Sequence, residues 1–180
     1  MTDLMLDIET LGCRPTSVIT QLGACLFDRK TGERGDSFIR NIDVADSLMA
    51  GFTIDKETVD WWRQQPDEYK TWITDCVHPK EALTEFTEFC KKHKPKGVWS
   101  HATFDIPILF NAYTITNIDV PFHYRVCRDI RTLVDIATLS KKSKKTIQER
   151  QAKKTHNALD DCVRQIEYCT LCFTMIKNET

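Results

Sequence analysis

The stretch Leu4-Met5-Leu6-Asp7-Ile8-Glu9-Thr10 sets two carboxylates two residues apart at the end of an apolar run. Leu4-Met5-Leu6 has the character of a buried strand, and side chains at i and i+2 of a strand point to the same face. Asp7 and Glu9 therefore project side by side. Two like charges held that close in an apolar setting repel and push their pKa values upward, unless a positive group lies between them. A divalent metal ion answers that need most economically.

After this strand, Leu11-Gly12 turns the chain and a second apolar stretch carries Val18, Ile19, Leu22, Ala24, Cys25 and Leu26. Asp28-Arg29-Lys30-Thr31-Gly32-Glu33 has hairpin-loop chemistry and Ser37-Phe38-Ile39 continues as a third strand, which predicts an antiparallel meander. From Asp46 the pattern turns helical. Ser47 to Ala50 closes at Gly51, Asp55 is placed to cap a helix through Trp62, and Pro66 suits the first turn of another. Pro79 opens an amphipathic helix whose apolar side is Ala82, Leu83, Phe86, Phe89 and Cys90, over a polar face of Glu81, Glu85 and Glu88.

Gly97-Val98-Trp99-Ser100 reads as a short strand and 105–113 as a helix with Asp105 at the strand-to-helix junction. Val126-Cys127 predicts a further short strand, followed by helices over 131–139 and about 158–176. A meander followed by alternating helix and strand predicts an α/β fold, a mixed sheet with flanking helices, as one domain over residues 1–180.

Composition sets limits on function. With 180 residues, 41% of them hydrophobic and 28% charged, the chain can bury a full core. The net charge of -1 means that any affinity for nucleic acid must come from a local basic surface. Eight cysteines, with no leader peptide and no apolar run of membrane-spanning length, predict a reducing, cytoplasmic setting and no membrane partner. Cys169 and Cys172 form a CxxC inside a helical stretch, with no second pair and no histidine at zinc-ligand spacing, so buried thiols are expected there.

Two further segments carry chemistry. His101-Ala102-Thr103-Phe104-Asp105 sets a carboxylate beside the first turn of a helix just past a strand, where ligands collect in α/β sheets. His156-Asn157-Ala158-Leu159-Asp160-Asp161 places an imidazole before the last helix and carboxylates one turn into it. Four carboxylates and one histidine from three distant segments suit metal-assisted phosphodiester hydrolysis. Two hard divalent cations about 3.5–4 Å apart take oxygen ligands, activate a water and stabilise the departing oxygen. An unperturbed imidazole titrates near neutrality, so a histidine in the place of His156 is chemically suited to take the proton from that water.

Asp-x-Glu, then Asp preceded by Phe, then His-x4-Asp resembles the DEDDh branch of the DnaQ-like 3'-5' exonucleases, over nearly the whole chain. The resemblance implies a ribonuclease-H-like fold, two Mg2+ or Mn2+ ions held by Asp7, Glu9, Asp105 and Asp161, and His156 as general base. It selects Asp161 over Asp160, which is then a solvent-facing helix residue. Thr58-Val59-Asp60-Trp61-Trp62, Phe104-Asp105-Ile106-Pro107-Ile108-Leu109 and Arg128-Asp129-Ile130-Arg131-Thr132 are similar to segments of the phage exodeoxyribonuclease group. That group shares a domain family with a bacterial exoribonuclease preferring adenylate tracts. The implied substrate is the 3' end of single-stranded nucleic acid, with a lean toward DNA over RNA, and a homodimer is compatible with it.

Substrate contacts are expected from Thr10, from Leu11 and Phe104 flanking the acids, and from Lys144 and Lys145. The last two belong to a basic run of Lys141, Lys142, Lys144, Lys145, Arg150, Lys153 and Lys154 opposed only by Glu149, leading directly to His156. Of Trp61 and Trp62, adjacent on a helix, at least one is expected to be buried. Arg128 and Arg131 either bind phosphate or pair with Asp129 and Asp135, with the ion pairs the slightly favoured expectation.

Three other functions fit the residues less well. A haloacid-dehalogenase-type phosphatase needs aspartate where Glu9 stands and has no role for His156-x4-Asp161. A catalytically silent nucleic-acid-binding module is opposed by the presence of all five side chains. An endonuclease of the ribonuclease H kind shares fold and metals and differs in attacking internal bonds.

Overall fold

The structure is a computed structural model that describes residues 2–65, 73–139, 147 and 156–179. Its centre is a five-stranded mixed sheet in the order β3-β2-β1-β4-β5. The strands are β1 (Asp3–Thr10), β2 (Ile19–Phe27), β3 (Arg34–Asn41), β4 (Gly97–Ser100) and β5 (Cys127–Asp129). β1, β2 and β3 form the antiparallel meander, while β4 adds parallel to β1 and β5 parallel to β4. The architecture is ribonuclease-H-like, as the sequence reading expected.

Alternation along β1 splits the core into two layers. Leu4, Leu6 and Ile8 join the cluster built with α3 (Pro79–His93) and α4 (Asp105–Thr116), through Leu83, Phe86, Leu109 and Tyr113. Met5 belongs to the opposite cluster, with Ile130 and Leu133 of α5 (Ile130–Ala137) and Cys162, Ile166 and Cys169 of α6 (Ala158–Glu179). Asp7 and Glu9 follow Met5 at the period of two and so project on the α6 side. All eight cysteines are free, and burial pushes the Cys172 thiol up to about 11. Among the described residues no helix is long and apolar enough to cross a membrane.

Several boundaries differ from expectation, each for a local reason. α1 spans Val44–Met49, because Asp43 accepts the Asp46 N–H at 2.8 Å and starts the helix earlier than Ser47. α2 (Lys56–Trp62) begins after Asp55, whose backbone is extended but whose carboxylate makes no cap. That carboxylate instead takes the Cys13 N–H at 3.1 Å and faces Arg14 at 3.4 Å. The chain makes a 3-10 turn over Tyr124–Val126, so β5 starts only at Cys127. Asp129 caps α5 by accepting the Thr132 N–H at 2.8 Å. Among the described residues it forms no ion pair with Arg128 or Arg131, contrary to the expected pairing; Arg128 donates to the Arg125 and Cys127 carbonyls. The helix expected at Pro66 lies outside the described residues.

Candidate active site

β1 and β4 run parallel, so their carboxyl ends reach the same edge of the sheet, where ligands gather in such folds. Asp7 and Glu9 end β1. From the end of β4 the chain turns through His101–Phe104, and the Phe104 and Asp105 N–H groups donate to the His101 carbonyl at 2.7 and 3.0 Å. This brings Asp105, the first residue of α4, back toward β1. A donor atom each from Asp7, His101 and Asp105 lie within 4.8 Å of one another, and so do those of Asp7, Glu9 and Asp161. Asp7 is common to both groups.

Asp161 arrives on α6, and the approach of that helix is set by β2. Gly23 pairs with Asp7 in the β1/β2 register, and a Cβ there would meet the Ala158 carbonyl carbon at 2.5 Å and the Leu159 nitrogen at 2.7 Å. Only a residue without a side chain lets the helix start come that close. Gln21, opposite Glu9, accepts the Ala158 N–H through Oε1 at 2.7 Å. Asn157 accepts the Leu159 and Asp160 N–H groups and caps the first turn. The result points Asp161 inward and Asp160 into solvent.

The cluster is buried and short of positive charge. Asp105 is 1% exposed, and its Oδ2 has no hydrogen-bond partner among the described residues. Burial raises its carboxyl well above the ordinary range, the charge of Asp7 raises it further, and the His101 backbone N–H and Arg131 oppose this. Arg164 reaches Asp161 Oδ1 at 3.0 Å, and Gln165 Nε2 donates to Asp7 Oδ1 at 2.6 Å. Among the described residues the Arg164 ion pair, the more distant charge of Arg131 and one amide stand against four buried carboxylates. The donor set, oxygen-rich with one bare buried oxygen, fits divalent cations of the Mg2+ or Mn2+ kind.

Beside the acids lies an open cavity of about 470 Å³, lined by Glu9, Thr10, Cys13, Glu57, Trp61, Phe104 and His156 among others. Trp62 is buried and its Nε1 donates to the Thr10 carbonyl at 2.9 Å, which ties α2 to the end of β1. Trp61 is 40% exposed and meets the His156 ring edge to face, with centroids 5.0 Å apart. His156 has φ of 52°, a left-handed conformation that holds its ring toward the tryptophans at the start of α6. Leu11 is packed in the core, whereas Phe104 is half-buried and lines the cavity. Lys144 and Lys145, with the rest of the basic run, lie outside the described residues.

His101, Arg164, Gln165, Gln21 and Gly23 did not stand out in the sequence as parts of the site. His101 carried a signal, a titratable side chain at the end of a strand four residues before Asp105. Gln165, Gln21 and Gly23 carried none, because their partners lie far away along the chain, and Arg164, three residues after Asp161, reads as an ordinary helix ion pair.

Acidic side chains converging on the carboxyl ends of parallel strands in this mixed sheet define a class, the metal-dependent 3'-5' exonucleases of DEDDh type. Solved structures share the fold. E. coli exonuclease I in complex with a dT13 oligonucleotide matches with TM-score 0.73 and 14% identity, over 98% of this chain and 42% of that one. S. pombe Pop2p in its Mg2+- and Mn2+-bound form gives 0.63 and 14%, over 94% and 82%. The nuclease domain of 3'hExo, a DEDDh family member bound to rAMP, gives 0.65 and 12%, over 96% and 91%. This chain thus spans less than half of exonuclease I but most of the other two. No curated protein matches the sequence. Residues 2–173 match the family described as the 3'-5' exoribonuclease Rv2179c-like domain, and the chain belongs to that family.

Proposed function

We propose that this chain removes nucleotides one at a time from the 3' end of single-stranded RNA, with Asp7, Glu9, Asp105 and Asp161 holding two divalent cations. The observation that carries the reading is the pair of donor groups sharing Asp7 at the sheet edge, with one buried oxygen of Asp105 lacking a hydrogen-bond partner among the described residues. When bound, such cations supply positive charge to the scissile phosphate and make an attacking water more acidic. His156, at the rim of the same cavity as Glu9, takes the proton from that water. Glu9 faces the terminal 3'-hydroxyl, which restricts the reaction to chain ends. Phe104 and Trp61 present apolar surface on which the last bases stack.

The family description supports RNA as the substrate and outweighs the lean toward DNA drawn from the phage-like segments. DNA remains the second reading, supported by the exonuclease I complex with dT13. The basic run ending before His156 is assigned to the substrate backbone, with Lys144 and Lys145 as phosphate contacts. The whole chain acts as one nuclease domain.

Labelled at the 5' end, single-stranded RNA and DNA of one sequence are incubated with Mg2+ or Mn2+, against EDTA and Asp7→Asn controls. A ladder shortening from the 3' end, faster on RNA and absent in both controls, is the expected result. Faster loss of DNA would move the substrate to the second reading. No metal-dependent product from either strand would leave a binding module.

A further inference from the structure

We propose that His101 is itself a donor to one of the two cations, completing with Asp7 and Asp105 a mixed nitrogen and oxygen set that favours Mn2+ over Mg2+. The inference rests on the nuclease reading and deepens it, because it assigns one locus a different chemistry from the other. One locus, Asp7 with Glu9 and Asp161, offers carboxylate oxygen alone; the other, Asp7 with Asp105, includes an imidazole.

The geometry supports coordination by His101 on three counts. Donors on one ion with bonds of about 2.1 Å lie at most about 4.2 Å apart across it. The three atoms are already within 4.8 Å, so a small closing movement suffices. The His101 backbone is held by two hydrogen bonds that also begin α4, one from Phe104 N–H and one from Asp105 N–H, which keeps imidazole and carboxylate on one turn. Asp105 keeps a buried oxygen, Oδ2, with no hydrogen-bond partner among the described residues. A group so enclosed is costly unless a ligand completes it.

Selectivity follows from donor chemistry. Mg2+ prefers all-oxygen surroundings and gives up its waters reluctantly, whereas imidazole nitrogen gains more from transition metals. Asp7, common to both groups, would couple the two loci, so loss of the imidazole weakens occupancy of one without emptying the other.

The test uses the purified chain loaded with Mn2+, read by pulsed electron paramagnetic resonance for nitrogen coupling to the metal, alongside calorimetric titration with Mn2+ and with Mg2+. Nitrogen coupling is expected in the wild type and in His156→Ala and is expected to vanish in His101→Gln. Mn2+ affinity should fall about 10-fold in His101→Gln while Mg2+ affinity changes far less. Isotopic replacement of histidine nitrogen in the unsubstituted chain must alter the coupling, a measurement that survives any failure of His101→Gln to fold. Mn2+ bound without nitrogen coupling, or coupling that persists in His101→Gln, would overturn the assignment while leaving the nuclease reading intact. Absence of Mn2+ binding together with absence of nuclease activity would remove both.

Discussion

Gln165 donates its Nε2 proton to Asp7 Oδ1 at 2.6 Å, joining residues 158 apart in the chain at the centre of the acidic cluster. Gln165 is fully buried on α6, one turn beyond Asp161, and its amide holds one Asp7 oxygen in a set direction. Gln165→Leu should therefore lower activity by about 10- to 100-fold, in the range seen for groups that orient metal ligands. The lost hydrogen bond should cost about 1–3 kcal/mol. Urea denaturation and initial rates on the same preparation separate the two effects, and unchanged rates would remove Gln165 from the positioning of Asp7.

The burial of Asp105 sets a pH dependence in the metal-free protein. Its folded pKa lies above the unfolded value of about 3.9, so the folded state binds more protons than the unfolded one as pH rises past that value. Its contribution to stability is then greatest at low pH and falls with rising pH until the folded pKa is passed. In EDTA, Asp105→Asn should gain on the wild type as pH rises from about 4 toward 7, and saturating Mn2+ should reverse that order. Denaturant midpoints across this range provide the measurement; parallel curves for the two proteins would contradict the shift.

Gly23 makes room for the start of α6, with no space for a Cβ between β2 and Ala158. Gly23→Ala should destabilise the fold by about 1–3 kcal/mol, because the atoms in the way are backbone and cannot rotate aside. Displacement of Asp161 and His156 by even about 1 Å should lower the rate about 100-fold. Thermal melting paired with nuclease assays tests this, and a fully active variant would show that the helix can approach from another angle.

Asp161 and Asp160 are adjacent but face opposite ways, the first 6% exposed in the cluster and the second in solvent. Asp161→Asn should lose activity by at least about 100-fold, and Asp160→Asn should stay near the wild type. Equal losses in the two variants would mean that α6 enters the site with a different rotation.

Trp61 and Trp62 should separate in the same manner. Trp62, buried and bonded to the Thr10 carbonyl, should cost about 3–5 kcal/mol of stability on replacement by alanine. Trp61, partly exposed beside His156, should cost far less stability and raise KM. Comparing melting temperatures with KM and kcat for the two variants provides the check.

How much of this was legible beforehand depended on the range of the interaction. The shared direction of Asp7 and Glu9 was legible because alternation along a strand is local. The helix at Asp105 was legible from the apolar run behind it. Asp55 holds the N-cap position of α2 but gives it no side-chain cap, because a distant partner, the Cys13 N–H, takes its carboxylate. Arg128 and Arg131 were expected in ion pairs with Asp129 and Asp135, but Asp129 caps α5.

By itself the amino-acid sequence determined the meander and the succession of strands and helices, since each rests on periodicity or on spacing within a few residues, whereas the selection of Asp161 over Asp160 and of His156 came from the resemblance to the DEDDh exonucleases. Tertiary structure alone decided that Gly23 admits α6, that Gln165 and Arg164 meet Asp7 and Asp161, and that His101 stands beside Asp7 and Asp105. Apart from the Arg164–Asp161 pair, which is one turn of a single helix, and the short step from His101 to Asp105, those relations join segments more than ninety residues apart. No local pattern encodes such distances; they follow from how the buried faces close on one another.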